Sequence, residues 1–597
     1  MTIDLKELHS RYDLFVVLLA FVTVGFHIYL IFTGLIPNLV SRPLHLALVL
    51  PWVFLFKSNQ SKFSEYFGFI LLILSIFATL YIVINHIDLE DQYGSLEGDL
   101  QFFIAIVLLL SVLEMARRAV KLALPLTAFL ALLYGFFGHY IPGDFGHQEI
   151  PIESFLGTLV ISEGGIFGSL TGISVNVVAV FVILGAFVGI GEGGNAFMSM
   201  ATKLAGRLRG GAAKVSVLAS AFFGSISGSA SANVASTGAF TIPTMIKLKY
   251  PKSLAASVEA VASTGGQIMP PLMGAGAFIM AELLGVKYTS IMSAALFPAI
   301  LFFLTVWIGV DIFAKKYNLL AMRKEDIPTT KYVLQLSPFF LLPFGVLLIS
   351  LLYFGKTPQY SAALAIFISA ALLLVDIEWK PSFRKWVDKF IKACVVASNQ
   401  IAIIASVIIC AGIIIGVLNL TGVGVKITSA ILYLSDGKLY IALLLTALAC
   451  LVLGMEVPTT AAYIICVSVA GPILQEFGLS ALQTHLFIFW FALLSTITPP
   501  VCGTVFIASG MAEAQWLKVA SKAMRLGVGL YIIPLAFITN KFLVFPDKNL
   551  LFALLSFIKI SFGLAIVSYS LVNDSKGYVF RVGIFMVGIL VILYPIF

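Results

Sequence analysis

The sequence predicts an all-α polytopic membrane protein built around an inverted repeat with two re-entrant helical hairpins. The first observation is composition: of 597 residues, 60% are hydrophobic and 11% are charged, whereas soluble domains carry about a quarter charged residues. The second is a pair of polar breaks, each inside an apolar stretch and each followed by a second break. The third is the distribution of lysine and arginine on the short links between apolar stretches, which sets the side of each link.

The N-terminal region, residues 1–140, is predicted to be a scaffold of membrane helices. Residues 1–11 are polar and carry Lys6 and Arg11, so the N-terminus is expected on the cytoplasmic side. Apolar stretches without glycine-rich breaks indicate five spans, near 13–35, 43–57, 65–86, 99–115 and 121–140.

The first half of the transmembrane repeat is predicted at 141–380. Its central stretch, 212–246, is interrupted from Gly224 to Asn233 by Gly, Ser, Ala and Asn, and has basic residues on both flanks. Both ends are therefore expected on the cytoplasmic side, which makes the stretch a hairpin that enters and leaves by one face. The crossing that follows, 253–286, is itself broken at Ser263–Gln267.

The second half, 381–543, repeats this arrangement with the opposite orientation. A hairpin at 439–477, opened by Gly454, is expected to enter from the periplasm, and the crossing 481–513 is broken from Ser495 to Gly503. The spacing from Gly224 to Pro270 and from Gly454 to Pro499 differs by a single residue, and Pro-Pro-x-x-Gly follows in both halves. Matched breaks in two halves indicate the binding site of a secondary transporter. Residues 544–597 are predicted as a C-terminal membrane extension.

The residues at these breaks suit cation and anion binding. Broken helices bind Na⁺ through carbonyl and hydroxyl oxygens, and the N-terminal ends of half-helices favour anions. The cation ligands predicted on this basis are Ser227, Gly228, Ser263, Thr264, Gly266, Ser495, Thr496 and Thr498. The substrate ligands predicted are Ser229, Ser231, Asn233, Gln267, Pro458, Thr459 and Thr460. Small residues such as Gly224 and Gly228 also permit close helix packing, which is the alternative interpretation.

Five motifs resemble the fused permease of tripartite ATP-independent periplasmic (TRAP) transporters over about residues 90–540. They read EGGIFGSLTGISVNVVAVFVILGAF, SGSASANVASTGAFTIPTM, EAVASTGGQIMPP, GMEVPTTAAY and STITPP. The resemblance is greatest to the branch that works with TAXI-type binding proteins. It implies an ion-driven importer of organic acids with an elevator motion, a periplasmic solute-binding protein as partner, and the bacterial or archaeal inner membrane as location.

Two departures from the family pattern bear on the coupling ion. Ser229-Ala230-Ser231 stands where Ser-Ser-Val is common, and Glu456 stands where glycine is usual. Glu456 either caps the returning helix of the second hairpin or acts as an intramembrane acid in ion coupling. Na⁺ is the expected coupling ion, and H⁺ is the alternative.

Other functional classes have weaker support. No nucleotide-binding motif is present and the basic residues lie on short links, so neither an ATPase nor a nucleic-acid-binding protein is expected. An intramembrane enzyme would need a nucleophile with its base, and the seven histidines form no cluster in the sequence. No covalent cofactor is expected. Glu259, Glu282 and Glu513 lie on or near the broken crossings, and the last two are expected in solvent. A passive channel is distinguishable only by transport assays.

Overall fold

The computed structural model describes residues 12–34, 36–56, 62–119, 122–454, 458–500, 502–573 and 577–595. Within these ranges the regular structure is helical throughout, apart from an isolated bridge between Val375 and Pro381. This confirms the predicted all-α fold class. In chain order the helices are α1 (Tyr12–Phe32), α2 (Asn38–Phe54), α3 (Lys62–Ile84), α4 (His86–Asp91), α5 (Gly98–Ala119), α6 (Ala123–Phe137), α7 (Ile152–Val160), α8 (Ser169–Ile173), α9 (Ala179–Ile190), α10 (Gly193–Ala205), α11 (Gly211–Ser227), α12 (Ala230–Lys247), α13 (Lys252–Gly265), α14 (Ala275–Leu284), α15 (Tyr288–Lys316), α16 (Thr330–Leu336), α17 (Pro338–Leu348), α18 (Pro358–Leu372), α19 (Phe383–Thr421), α20 (Val423–Ser435), α21 (Leu439–Leu453), α22 (Thr459–Glu476), α23 (Ala481–Leu494), α24 (Gly503–Ala512), α25 (Trp516–Leu526), α26 (Val528–Thr539), α27 (Leu550–Val572) and α28 (Tyr578–Leu593).

Short turns of other helical types join several of these helices. Turns of 3₁₀ helix occupy Gly138–Tyr140, Gly266–Ile268, Lys324–Asp326 and Lys541–Leu543, and π-helical turns occupy Ser174–Val178 and Ile349–Tyr353. The turn at Gly266–Ile268 overlaps the predicted break of the first crossing at Ser263–Gln267, although α13 continues to Gly265. There the helical hydrogen-bond pattern ends in the middle of an apolar segment.

Many helices have the length and composition of membrane spans. In the described ranges, nine are long and apolar enough to cross a bilayer, or up to ten if a pair bent by 49° near residue 337 counts as one span. A span of the hydrocarbon core takes about 20 residues. Several apolar helices are shorter than a full span. Four of them belong to the hairpins and broken crossings, where the helix is interrupted: α14, α21, α23 and α24.

The chain divides into two compact units, which are described separately. Unit 1 comprises residues 1–192 and 341–430, and unit 2 comprises residues 193–340 and 431–597. In unit 1 the 39-residue helix α19 packs against α1, α2, α5, α6 and α9. Apolar burial along this long helix organises the predicted scaffold region.

Unit 1 also brings together polar residues that are distant in sequence. His27 Nε2 lies 2.8 Å from His45 Nδ1, and His45 Nε2 lies 3.1 Å from Ser174 Oγ. The sequence did not single out this pair, which forms because α1 and α2 pack side by side. Arg42 pairs with Glu163 at 3.0 Å, which links α2 to the turn before α8.

Unit 2 contains both hairpins and both broken crossings. The first hairpin is α11–α12, broken at Gly228–Ser229, and the second is α21–α22; the broken crossings are α13–α14 and α23–α24. Each predicted hairpin stretch, 212–246 and 439–477, coincides with one of these helix pairs to within a residue. Residues 455–457, between α21 and α22, lie outside the described part, and the faces by which the hairpins enter the membrane stay predictions.

The broken crossings of unit 2 are exchanged between the two halves. Helix α24 packs against α12 and α13 of the first half, whereas α14 packs against α22 and α23 of the second half. The contact is close: a Cβ added at Gly276 on α14 would lie 2.5 Å from Phe489 Cε2 on α23. Each half therefore completes the core of the other.

Candidate functional site

The tip of the first hairpin is a sharp reversal between two half-helices. Gly228 ends α11 in the left-handed conformation with φ of 60°, which glycine adopts without steric cost. Ser229 then caps α12, and its Oγ accepts a hydrogen bond from Ala232 N. Ser231, one of the predicted substrate ligands, is exposed on the first turn of α12. The side chain of Ser227 lies outside the described part of the structure.

Glycines let the first tip lie directly against the first broken crossing. A Cβ at Gly224 would lie 2.5 Å from Gly266 Cα, and a Cβ at Gly228 would lie 2.8 Å from Gly274 Cα. Gln267 joins the same contact, because its Nε2 donates to the Gly228 carbonyl at 2.7 Å. Its Oε1 is buried and has no hydrogen-bond partner among the described residues.

Asn233 is fully buried and ties three helices together. Its Nδ2 donates to the main-chain oxygens of Ser220 on α11, at 3.0 Å, and of Ser263 on α13, at 3.2 Å. Both hydrogens of the amide are therefore committed to the protein. Asn233 therefore links α12 to α11 and α13 near the tip. Its contact with substrate stays a prediction.

The second hairpin approaches its own crossing in the same way. A Cβ at Gly454 would lie 2.9 Å from Ser495 Oγ in the second break, as Gly224 meets Gly266 in the first half. Pro458 caps α22, Thr459 is buried and Thr460 is half-buried at the start of that helix. Residues 455–457, and with them Glu456, lie outside the described residues.

The hydroxyls of the second break donate to their own helix. Ser495 Oγ, Thr496 Oγ1 and Thr498 Oγ1 donate to main-chain oxygens three or four residues back, at 2.7–2.8 Å. Each hydroxyl has one hydrogen and two lone pairs, so donation leaves the lone pairs, one of which accepts from the Tyr531 hydroxyl at Thr498. Thr498 Oγ1 also lies 2.7 Å from the Tyr531 hydroxyl.

The two breaks meet at one pair of predicted cation ligands. Thr264 Oγ1 donates to the Ala260 carbonyl at 2.9 Å and lies 3.0 Å from Thr496 Oγ1. Residues predicted independently in the two halves are thus adjacent. The main-chain oxygen of Thr496 also accepts a bond of 2.7 Å from Thr504 Oγ1, which fixes the first turn of α24 on the break.

A fully buried carboxyl group of unit 2 was not predicted as a site residue. The Glu259 carboxylate, fully buried on α13, accepts hydrogen bonds from five hydroxyls, which belong to Ser216, Ser220, Thr237, Thr241 and Ser263. Each of the three helices contributes a pair of residues four apart, which is one face of a helix. That spacing places each pair on one helix face, but it does not show that the three faces meet. Glu282 and Glu513, in contrast, are exposed as expected.

Two tyrosines that the sequence did not single out brace the breaks. The Tyr288 hydroxyl lies 2.7 Å from the main-chain oxygens of both Pro271 and Leu272, and Tyr531 contacts Thr498 in the second break. Both Pro-Pro bonds, Pro270-Pro271 and Pro499-Pro500, are cis.

The chemistry of this region is that of oxygen ligands and dipoles. In the described residues no group of three or more His, Cys, Asp or Glu side chains could hold a metal ion. A hard monovalent cation would instead be bound by hydroxyls and carbonyls at the breaks. The half-helices that begin after the tips, α12 and α22, direct their positive ends toward them.

A family model decides the assignment. The model described as "Tripartite ATP-independent periplasmic transporter, DctM component" matches residues 107–547, which is more than half of the chain. The chain belongs to the DctM family of TRAP transporters. The expected TRAP resemblance is confirmed, whereas membership of the TAXI branch stays a prediction.

Individual DctM relatives have low sequence identity to this chain but align with most of its length. The isethionate TRAP transporter permease protein DctMQ of Oleidesulfovibrio alaskensis is 24% identical over 403 residues, covering 65% of this chain and 61% of that protein. The C4-dicarboxylate TRAP transporter large permease protein DctM of Vibrio cholerae is 25% identical over 413 residues, covering 66% and 88%. The 2,3-diketo-L-gulonate TRAP transporter large permease protein YiaN of Escherichia coli is 24% identical over 373 residues, covering 62% and 84%.

Membership of the DctM family decides the broad class. The chain is a multi-pass permease of a transport system and not an enzyme, and its family indicates the bacterial inner membrane. The family consists of secondary transporters of organic acids that work with a periplasmic solute-binding protein.

Proposed function

We propose that this permease uses the Na⁺ gradient to import an organic acid delivered by a periplasmic solute-binding protein of the TAXI type. The proposal combines a cation site at the two breaks with an anion site at the hairpin tips. An elevator-type movement of the site belongs to the same proposal.

The observation that carries the cation site is the contact between Thr264 and Thr496. Their Oγ1 atoms lie 3.0 Å apart, yet each hydroxyl also lies 2.9 Å or less from a carbonyl of its own helix. When both hydrogens are donated to those carbonyls, two oxygen atoms face each other without a hydrogen between them. Such a pair of oxygens is unfavourable alone and becomes favourable when a cation binds to both.

The remaining proposed cation ligands belong to the tip of the first hairpin and to the two breaks. Hydroxyls that donate to helix carbonyls keep their lone pairs for a cation, and carbonyls freed at half-helix ends add further ligands. We assign this role to the predicted set: Ser227, Gly228, Ser263, Thr264 and Gly266 in the first half, and Ser495, Thr496 and Thr498 in the second.

An anionic substrate suits the tips themselves. The N-terminal turns of α12 and α22 offer main-chain N–H groups and a positive dipole end. Gln267 supplies a buried amide oxygen without a partner among the described residues, which can accept from a hydroxyl of the substrate. The substrate residues proposed are Ser229, Ser231, Asn233, Gln267, Pro458, Thr459 and Thr460. The names of the relatives, which include isethionate and C4-dicarboxylate, support an organic acid.

A separate binding protein is proposed because the chain offers little surface to capture substrate. The links expected outside, 87–99, 141–152 and 420–426, are short. A family whose transport systems include a periplasmic protein supports the same partner.

Uptake by the purified permease in liposomes tests the function. We expect uptake of a labelled acid, with succinate as the first probe, only when an inward Na⁺ gradient and a TAXI-type binding protein from the same organism are both supplied. The matched controls replace Na⁺ by choline or omit the binding protein. Saturable uptake without the soluble protein would contradict the requirement for a binding protein. Uptake driven by a pH gradient alone would identify H⁺ as the coupling ion in place of Na⁺. Equilibration of the substrate without any gradient would indicate a channel.

A further inference from the structure

Glu259 is a buried carboxyl group on α13, which packs against both helices of the first hairpin. Its side chain is fully buried on α13, and its two carboxylate oxygens accept hydrogen bonds from hydroxyls on α11, α12 and α13 itself. An ionised carboxylate is an acceptor with about four lone-pair sites. Five hydroxyl groups point at these lone-pair sites, and such a set of donors favours the ionised form of the carboxyl group.

No positive side chain neutralises this charge in the described residues. The helices packed against α13 include α11, α12, α15, α24 and α25. Their charged groups and those of α13 itself are Lys214, Lys247, Lys252, Asp311, Lys315, Lys316, Lys518, Lys522 and Arg525. The contacts of three of these lysines lie elsewhere: Lys214 pairs with Asp311, Lys252 pairs with Glu513, and Lys522 donates to Ser253.

A buried anion without a cation is costly even when it is hydrogen-bonded. Hydroxyl dipoles replace part of the lost hydration, but a net charge remains in a medium of low dielectric constant. The position of Glu259 therefore favours any arrangement in which a mobile cation binds nearby.

Ser263 connects Glu259 to the predicted cation ligands. Its Oγ donates to Glu259 Oε1 at 2.9 Å and also lies 3.5 Å from Ser220 Oγ. The Ser263 hydrogen is thus committed to the carboxylate, and a lone pair of its oxygen remains for a cation. Donation to an anion makes the hydroxyl oxygen a better electron donor. Thr264 is the next residue, and it lies about 7.5 Å from Glu259 along the axis of the helix at 1.5 Å per residue.

We propose that Glu259 is the anionic positioning residue of the first cation site, where it supplies the negative charge that balances Na⁺ and turns the Ser263 oxygen toward it. The inference rests on the proposed Na⁺ coupling and deepens it, because it names the source of charge in a site otherwise made of neutral ligands.

Direct Na⁺ binding tests the inference without any transport. Purified full-length protein in nanodiscs would be titrated with Na⁺, with choline holding ionic strength constant, and followed by ²²Na⁺ binding and by thermal stabilisation. The axial rise of about 7.5 Å is a short estimate of the distance between this charge and the ion, so removal of the charge weakens Na⁺ binding by up to the order of tenfold to a hundredfold at an effective dielectric constant near 20. We expect this loss in Glu259→Gln and no change in Glu282→Gln, which removes an exposed charge on α14.

Two further variants separate charge from structure. Glu259→Asp and Thr241→Val both disturb the hydroxyl cluster but keep the negative charge, so the Kd for Na⁺ should stay close to that of the unmodified protein. They also serve if Glu259→Gln does not fold. If Glu259→Gln and the unmodified protein bind Na⁺ with equal affinity, the role of Glu259 is overturned while the proposed Na⁺ coupling stands. Loss of Na⁺ binding in the two charge-keeping variants would have the same consequence. Absence of Na⁺ binding in the unmodified protein would instead overturn the proposed Na⁺ coupling together with this inference.

Discussion

The hydroxyl oxygens of Thr264 and Thr496 lie 3.0 Å apart and join the two broken crossings of unit 2. One residue comes from each half of the repeat, and 232 positions separate them in the chain. Their contact makes the two predicted sets of cation ligands adjacent. The proposed function depends most directly on this pair.

A double-mutant cycle on this pair measures its part in ion binding. We expect Thr264→Ala and Thr496→Ala each to raise the Na⁺ concentration for half-maximal uptake. The coupling between the two changes should be about 0.5–3 kcal/mol, as is usual for residues in contact. Thr305→Ala is the control, because Thr305 is a buried threonine that donates to its own helix on α15. Additive effects in the cycle would show that the two oxygens do not share an ion.

The close approach at Gly224 predicts a strong effect of a single methyl group. In Gly224→Ala the new Cβ would lie 2.5 Å from both Gly266 Cα and Asn233 Nδ2, so the tip and the crossing must separate. Overpacking of this kind costs about 1–3 kcal/mol, and thermal unfolding in detergent measures it. Gly510→Ala has no atom within 4 Å of its Cβ, and we expect that variant to be neutral or about 0.5–1 kcal/mol more stable. Equal melting temperatures for the two variants would argue against the close contact.

The opposite orientation of the hairpins can be tested by labelling. The five native cysteines are buried, so a membrane-impermeant maleimide should leave the unmodified protein unlabelled. We expect Arg209→Cys and Lys249→Cys, on either side of the first hairpin, to react only from the cytoplasm. Lys438→Cys and Glu476→Cys, on either side of the second, should react only from the periplasm. Labelling of the two flanks of one hairpin from opposite sides would rule out the re-entrant arrangement.

Glu456, which lies outside the described residues, is expected either to cap α22 or to take part in ion coupling. It precedes Pro458, the cap of α22, where a carboxylate interacts favourably with the helix N-terminus. We expect Glu456→Gln to change the Na⁺ requirement or the pH dependence of uptake without loss of expression. If both profiles match those of the unmodified protein, Glu456 is a helix cap.

Local sequence predicts the hairpins well because their physical cause is local. A polar run such as Gly224–Asn233 inside an apolar stretch must end a helix, and Gly228 and Ser229 do so with a left-handed residue and a cap. The basic residues on the flanks of each hairpin then indicate the side of the membrane from which it enters. Such signals need no knowledge of packing.

The Glu259 cluster could not be predicted with the same ease because its cause is tertiary. Ser216 and Ser220, Thr237 and Thr241, and Glu259 and Ser263 are each an ordinary polar pair on a helix face. The sequence does not show that these three faces point at one another. The same holds for His27 and His45, whose contact depends on how α1 and α2 pack.

The exchange of α14 and α24 between the two halves restricts how this sequence can evolve. Gly276 belongs to the first half and Phe489 to the second, yet a Cβ on one would lie 2.5 Å from the ring of the other. A larger side chain at position 276 is therefore tolerated only with a smaller one at position 489. The two halves are repeats within one chain, but they cannot diverge independently. A substitution in one half must be compensated by a substitution in the other.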